Sequence, residues 1–180
     1  MHVWGIRVRL QVGRLARDLA LFDLGLDSKL RGCDLVALRT ADVLAGCNIR
    51  HRATIIQRKT QRPVQFEITQ QARQSVRWWL ERRGEDSSGW LFPSRVRPGD
   101  HITTRQYARL VKGWVGLIGL EPAAYGTHSM RRTKVSLLYR KTGNLRACQL
   151  LLGHTKLEST VRYLGVEVDD ALELSEGLEI

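Results

Sequence analysis

The sequence predicts a mostly α-helical α+β fold with a small three-stranded antiparallel sheet. Three observations lead there. Apolar residues recur at three- and four-residue steps along most of the chain, the period of helices with one buried face. Period-two alternation is confined to the stretch between Ala45 and Ile68. No internal repeat or low-complexity linker divides the 180 residues, a length suited to one well-buried domain spanning 1–180.

Val8, Val12, Leu15, Leu19, Phe22 and Leu26 mark a first amphipathic helix, with Arg7, Arg9, Arg14 and Arg17 on its polar side and a break from Gly25 to Ser28. A short second helix follows through LRGCDLVALR, where Arg31 and Asp34 stand three apart and can pair on one face. Asn48 to Gln57, rich in Ile and Thr, reads as strand. Val64, Phe66 and Ile68 alternate with Gln65 and Glu67, and QRKTQR forms the polar hairpin tip between the two runs. A helix begins at Thr69 with Ala72, Val76, Trp79 and Leu80 facing inward. Gly84 to Gly89 is a polar loop, and WLFPSR is a short extended segment. The next helix follows Thr103 or Thr104 and buries Tyr107, Leu110 or Val111, Trp114, and Leu117 or Ile118. Its aromatic stripe reads as core, with Arg105 and Arg109 on the outer side.

The formal net charge of +11 and the pI of about 10.3 favour a polyanion as partner. No apolar run reaches the length of a membrane span, and there is no signal-peptide h-region, so a soluble cytoplasmic protein with no membrane partner is expected. Cys33, Cys47 and Cys148 are too scattered for a disulfide framework, and Cys47 with His51 lacks the second pair that a zinc site needs. There is no P-loop, dinucleotide fingerprint or paired-carboxylate metal site. Beyond Tyr163 the chain turns acidic, from Glu167 to Glu179. The tail over 164–180 is a poor DNA contact. It reads either as a subunit contact or as a helix folded back on its own domain.

Function concentrates between Tyr125 and Tyr163. Gly126 interrupts the chain and Thr127 is the expected N-cap of a helix that places His128 and Arg131 on one face. Asn144 caps the next helix, which buries Leu145, Cys148 and Leu152 and stops at Gly153. Thr155 and Glu158 fit a capping box for a last helix with the stripe Leu157, Val161 and Leu164, and Tyr163 lies off that stripe. Arginine offers a planar fork to phosphate oxygens, histidine donates or moves a proton near neutral pH, and tyrosine is an oxygen nucleophile. Together they suggest phosphodiester chemistry.

H-x-x-R at His128 and Arg131, then L-L-G-H ending in His154, then Tyr163 nine residues later, closely resembles the C-terminal signature of the tyrosine recombinases, the phage-integrase family. The resemblance covers essentially the whole chain but only the catalytic half of a usual member, without the N-terminal helical clamp, as in compact fimbrial phase-variation recombinases. It implies the tyrosine-recombinase catalytic fold. It also assigns Arg31 as the family's first catalytic arginine, Asp34 as its supporting acid, and Lys59 as the hairpin lysine that reaches the active site.

By this resemblance Tyr163 attacks a DNA phosphate to form a 3′-phosphotyrosyl bond. Arg31, Arg131 and His154 hold the phosphate oxygens, Lys59 protonates the leaving 5′ oxygen and His128 accepts or relays the tyrosine proton. No ATP, metal or other cofactor is implied. The implied partners are double-stranded DNA, further copies of the chain on that DNA up to a tetramer, and an accessory protein supplying the missing clamp. The implied location is the bacterial cytoplasm or nucleoid. Two other readings share the signature: a non-catalytic DNA-binding regulator that kept the fold, and a type IB topoisomerase-like relaxing enzyme.

Overall fold

A computed structural model describes residues 2–84 and 88–165. The centre of the packing is α2 (Ala16–Ser28), in which every residue from Leu19 onward is buried. α1 (His2–Val12) is separate from it. The single helix expected from Val8 to Leu26 is broken at Gly13 and Arg14, the latter at φ 52°, and α1 buries Ile6 and Leu10 while Val12 is 78% exposed. Gly25 does not end α2. It is a packing notch, because a Cβ there would lie 2.8 Å from the Tyr107 hydroxyl. The helix stops at Lys29, which is left-handed at φ 53°.

Each carboxylate that α2 carries into the core has a partner, although Asp23 Oδ2 itself makes no hydrogen bond among the described residues. Arg7 donates to Asp23 at 2.9 Å, and Asp27 accepts from the Thr69 main chain, the Thr69 hydroxyl and Lys134. The Lys29 ammonium, which burial holds below its usual range, grips Glu67 at 2.6 and 2.7 Å.

After α3 (Gly32–Val36) and α4 (Thr40–Val43) come β1 (Leu44–Ala45), β2 (Asn48–Ile49), β3 (Arg52–Ile56) and β4 (Pro63–Glu67). In place of one three-stranded sheet, the described residues form two antiparallel ladders of two strands, β1 with β2 and β3 with β4. The physical reason lies at residues 50 and 51. The Arg50 N–H returns to the Val43 carbonyl, whereas the His51 carbonyl accepts from Ile68, so the backbone changes partner and the expected strand from Asn48 to Gln57 divides. Val64 and Phe66 point inward from β4 as the alternation requires.

The Thr69 and Thr103 hydroxyls cap α5 (Gln70–Arg83) and α6 (Thr104–Gly116). α6 buries Tyr107, Val111, Trp114 and Val115, and Leu91 and Phe92 of the extended segment are buried too. Among the described residues no helix is long and apolar enough to cross a membrane. The acidic tail from Val166 and residues 85–87 of the polar loop lie outside the described residues.

α7 (Thr127–Thr142), α8 (Leu145–Leu152) and α9 (Leu157–Leu164) complete the chain. Thr127 is the first helical residue rather than the cap. Gly126 takes that place, its N–H satisfied by the Ser129 hydroxyl at 3.2 Å. Asn144 caps α8 through Ala147 N–H, as expected. The capping box at Thr155 does not form. α9 begins two residues later with Lys156 at its N-cap, and the Thr155 carbonyl accepts from Gln149 instead. The buried residue of α9 is Thr160, while Leu157 is 42% exposed. Tyr163 therefore sits on the inward side, against the small cluster of Val135, Cys148 and Leu152.

Candidate active site

Arg131 projects from α7 and is 4% exposed. Its Nε donates to the Lys29 carbonyl at 2.7 Å and its Nη2 to the Leu152 carbonyl at 2.6 Å. Lys29 closes α2 and Leu152 is the last residue of α8. The guanidinium is thus seated on the carbonyl ends of two helices, where unpaired acceptors and the negative end of the dipole favour a cation. Burial first, then the charge of Arg31, pulls its proton affinity below the arginine norm.

Gly153 follows Leu152 in the left-handed region at φ 63°, and a Cβ there would come within 2.6 Å of Val64 Cγ2. This glycine lets the end of α8 press on β4, and it delivers His154. Burial, then the charges of Arg131 and Arg31, lower the His154 imidazole to about 4, so it is neutral at pH 7. Its Nδ1 lies 3.1 Å from the Thr160 hydroxyl. When that hydroxyl donates to Nδ1, the ring carries its proton on Nε2 and presents an N–H donor.

Tyr163 stacks edge-on against His154, with ring centroids 5.5 Å apart, and its ring lies 5.6 Å from the Arg131 guanidinium carbon. Its hydroxyl donates to the main-chain carbonyl of His128 at 3.3 Å. Burial raises the phenol above its ordinary range, against the pull of Arg131, Arg132 and Arg31.

Arg31 stands at the N-cap of α3, half-buried, and donates from Nη1 to Gln57 Oε1 at 2.6 Å. The ion pair with Asp34 is not made. Asp34 is buried and accepts the Arg58 N–H at 3.0 Å, so it orients the hairpin rather than the arginine. Arg31 and Arg131 form no ion pair among the described residues. Asp34 is near enough to act on Arg131 but pairs with neither guanidinium, and such a cluster of positive charge favours an anion.

The fold therefore brings Arg31, Arg131, His154 and Tyr163 together. His128 is exposed, and among the described contacts it is its main-chain oxygen, not its imidazole, that meets Tyr163. Lys59 is exposed at the hairpin tip and makes no hydrogen bond or ion pair among the described residues. Sequence reasoning missed Gln57 and Thr160. Gln57 had a signal, since it falls in the inward phase of Ala53 and Ile55, where a polar residue needs a partner.

The profile of the phage integrase family matches residues 13–169. Tyrosine recombinase XerD of Rhizobium meliloti (strain 1021) is 34% identical over 149 residues, which cover 82% of this chain and 46% of the relative. The probable integrase/recombinase YoeC of Bacillus subtilis (strain 168) is 28% identical over 153 residues, 85% of this chain and 80% of the relative. The chain thus spans less than half the length of that XerD and most of YoeC. In fold it is similar to XerA recombinase, with a TM-score of 0.80 at 16% identity over 99% of this chain and 64% of that one. It is similar also to the XerH site-specific recombinase bound to its difH substrate, with a TM-score of 0.73 at 19% identity over 99% and 52%.

Proposed function

Because the chain belongs to the phage integrase family, we propose that it is a site-specific recombinase that breaks and rejoins double-stranded DNA through a 3′-phosphotyrosyl intermediate. The observation that carries this reading is the seating of two guanidiniums, neither in an ion pair among the described residues, around a tyrosine hydroxyl and a neutral imidazole. Arg31, Arg131 and His154 donate to the non-bridging oxygens of the scissile phosphate, where charge builds in the transition state. Tyr163 Oη bonds to phosphorus as its proton is accepted or relayed by His128, whose exposed imidazole turns toward the phenol on DNA, and the bond to the 5′ oxygen breaks as the Lys59 ammonium, carried in by the hairpin, protonates it. A 5′ hydroxyl from a partner strand then attacks the phosphotyrosine and releases Tyr163. The phosphate stays a diester throughout, one P–O bond exchanged for another, so the cycle draws on no ATP. The two arginines take the charge-neutralising part that metal ions have in other phosphoryl-transfer sites.

The partner is double-stranded DNA in the bacterial cytoplasm, drawn by the basic balance of the chain. Relatives of the same fold have been solved on DNA: XerH on difH and the Tn1549 transposon integrase on circular-intermediate DNA. Phosphate contacts position a protein but carry little sequence information. Site-specific work therefore calls for neighbouring copies, up to a tetramer, with the acidic tail as their contact, or for an accessory protein that clamps the opposite face.

The test is incubation with nicked suicide duplexes carrying candidate sites from the neighbouring genome. The expected product is a covalent protein–DNA adduct mapped by mass spectrometry to Tyr163. Tyr163→Phe should abolish the adduct and keep gel-shift binding. An adduct surviving in that variant, or none from the native chain on any site, overturns the reading.

A further inference from the structure

The side chain that holds Arg31 belongs to Gln57, which has no part in the chemistry above. Gln57 is 1% exposed, at the inward position just beyond β3. Its Oε1 accepts from Arg31 Nη1 at 2.6 Å and from the Thr60 hydroxyl at 2.9 Å. Arginine can only donate, so the amide must turn its oxygen this way. The main chain of Gln57 also closes the hairpin tip. Its N–H donates to the Arg62 carbonyl at 2.9 Å, and its carbonyl accepts from Gln61 at 2.8 Å. One residue thus ties Arg31 to the loop that carries Lys59.

Two further features bear on its role. Among the described residues Gln57 Nε2 is buried without a hydrogen-bond partner, against Gly153, where a Cβ would lie 3.3 Å away. An unpaired buried amide weakens a fold, so stability alone does not explain a glutamine here. The acceptor is also neutral. A carboxylate in its place would hold the guanidinium equally well but cancel the charge that an anion needs.

We propose that Gln57 is a positioning residue that fixes the Arg31 guanidinium for the scissile phosphate while leaving its positive charge uncancelled. The proposal rests on the recombinase reading. In single-turnover adduct formation on the suicide duplex, Gln57→Leu should be slower by roughly 10- to 100-fold, the scale of a displaced reacting group. Its gel-shift binding should be unchanged, and its melting temperature unchanged or higher. Gln57→Glu should be slowed as well, although it keeps the acceptor. Should the leucine variant fail to fold, Gln57→Asn, which shortens the reach, is expected to show the same slowing. Gln57→Leu added to Arg31→Ala should slow cleavage no further, because the residue acts through Arg31.

Native rates for Gln57→Leu, or the same fold-loss with and without Arg31, overturn the proposal. A contact measurement separates its failure from that of the recombinase reading. Phenylglyoxal labelling of Arg31, read by peptide mass spectrometry, should rise several-fold in Gln57→Leu even if the native chain forms no adduct. Unchanged labelling overturns the proposal.

Discussion

Arg131 Nη2 lies 2.6 Å from the carbonyl oxygen of Leu152, the last residue of α8. The guanidinium at the centre of the site is therefore part of the fold, fastened to α8 and, through Nε, to the end of α2. Arg31 differs. It is half-buried and, among the described residues, is anchored by a single side-chain hydrogen bond.

That difference separates two variants expected to be equally inactive. Arg31→Ala and Arg131→Ala should each slow adduct formation by about 10²–10³ or more, the scale of removing an oxyanion donor. Arg131→Ala should also lose about 1–3 kcal/mol of stability, because two buried carbonyls lose their donor. Arg31→Ala should change stability by less than ~1 kcal/mol. Arg131→Lys should rescue poorly, since an ammonium cannot reproduce the fork. Denaturant titrations beside single-turnover assays check both halves, and near-native cleavage by Arg131→Lys would reduce the residue to a general positive charge.

Gly153→Ala should destabilise the protein by about 1–3 kcal/mol, through left-handed backbone strain and overpacking together. The Cβ would meet Val64 at 2.6 Å, so either the end of α8 or β4 must move. Cleavage should fall further than stability alone explains, because the same shift displaces His154. Val64→Ala in the Gly153→Ala background should recover part of both losses. Simple additivity of the two substitutions would place the cost in the backbone angle alone.

His154 makes stability depend on pH. Its folded value near 4 lies below the ordinary histidine value of about 6.5. Between those values the unfolded chain binds a proton that the folded chain refuses, so stability falls as pH drops from about 6.5 toward 4. NMR titration of the imidazole should show no inflection from pH 6 to 8. His154→Gln should flatten the decline in denaturation midpoint. An inflection near 6.5 in the free protein would contradict the burial and charge placed around the ring.

Adduct formation should persist in excess EDTA without nucleotide, because Arg31 and Arg131 supply the positive charge at the phosphate. Cleavage that is lost on chelation and restored by magnesium would point to a metal-dependent nuclease.

Local rules carried much of the fold. Thr69, Thr103 and Asn144 cap the helices they precede, and Gly153 ends α8, because a cap depends on residues three or four apart. Arg131, His154 and Tyr163 were legible for a different reason: phosphodiester chemistry demands rare side-chain types, and their spacing matched a known signature.

What the sequence could not decide was how those side chains are held. Arg31 and Asp34, three apart, looked like a pair, yet Arg31 bonds Gln57, 26 residues away, and Asp34 bonds Arg58. The break between α1 and α2, the later start of α9 and the inward side of Tyr163 followed from packing between elements, which overrides a local period. The plainest case is Arg131, whose anchor at Lys29 lies 102 residues distant. The sequence by itself determined which side chains are on hand for the proposed chemistry, because side chains are written in it. Only the tertiary structure decided what seats them, because a main-chain carbonyl is common to every residue and acquires its role from the fold that turns it inward.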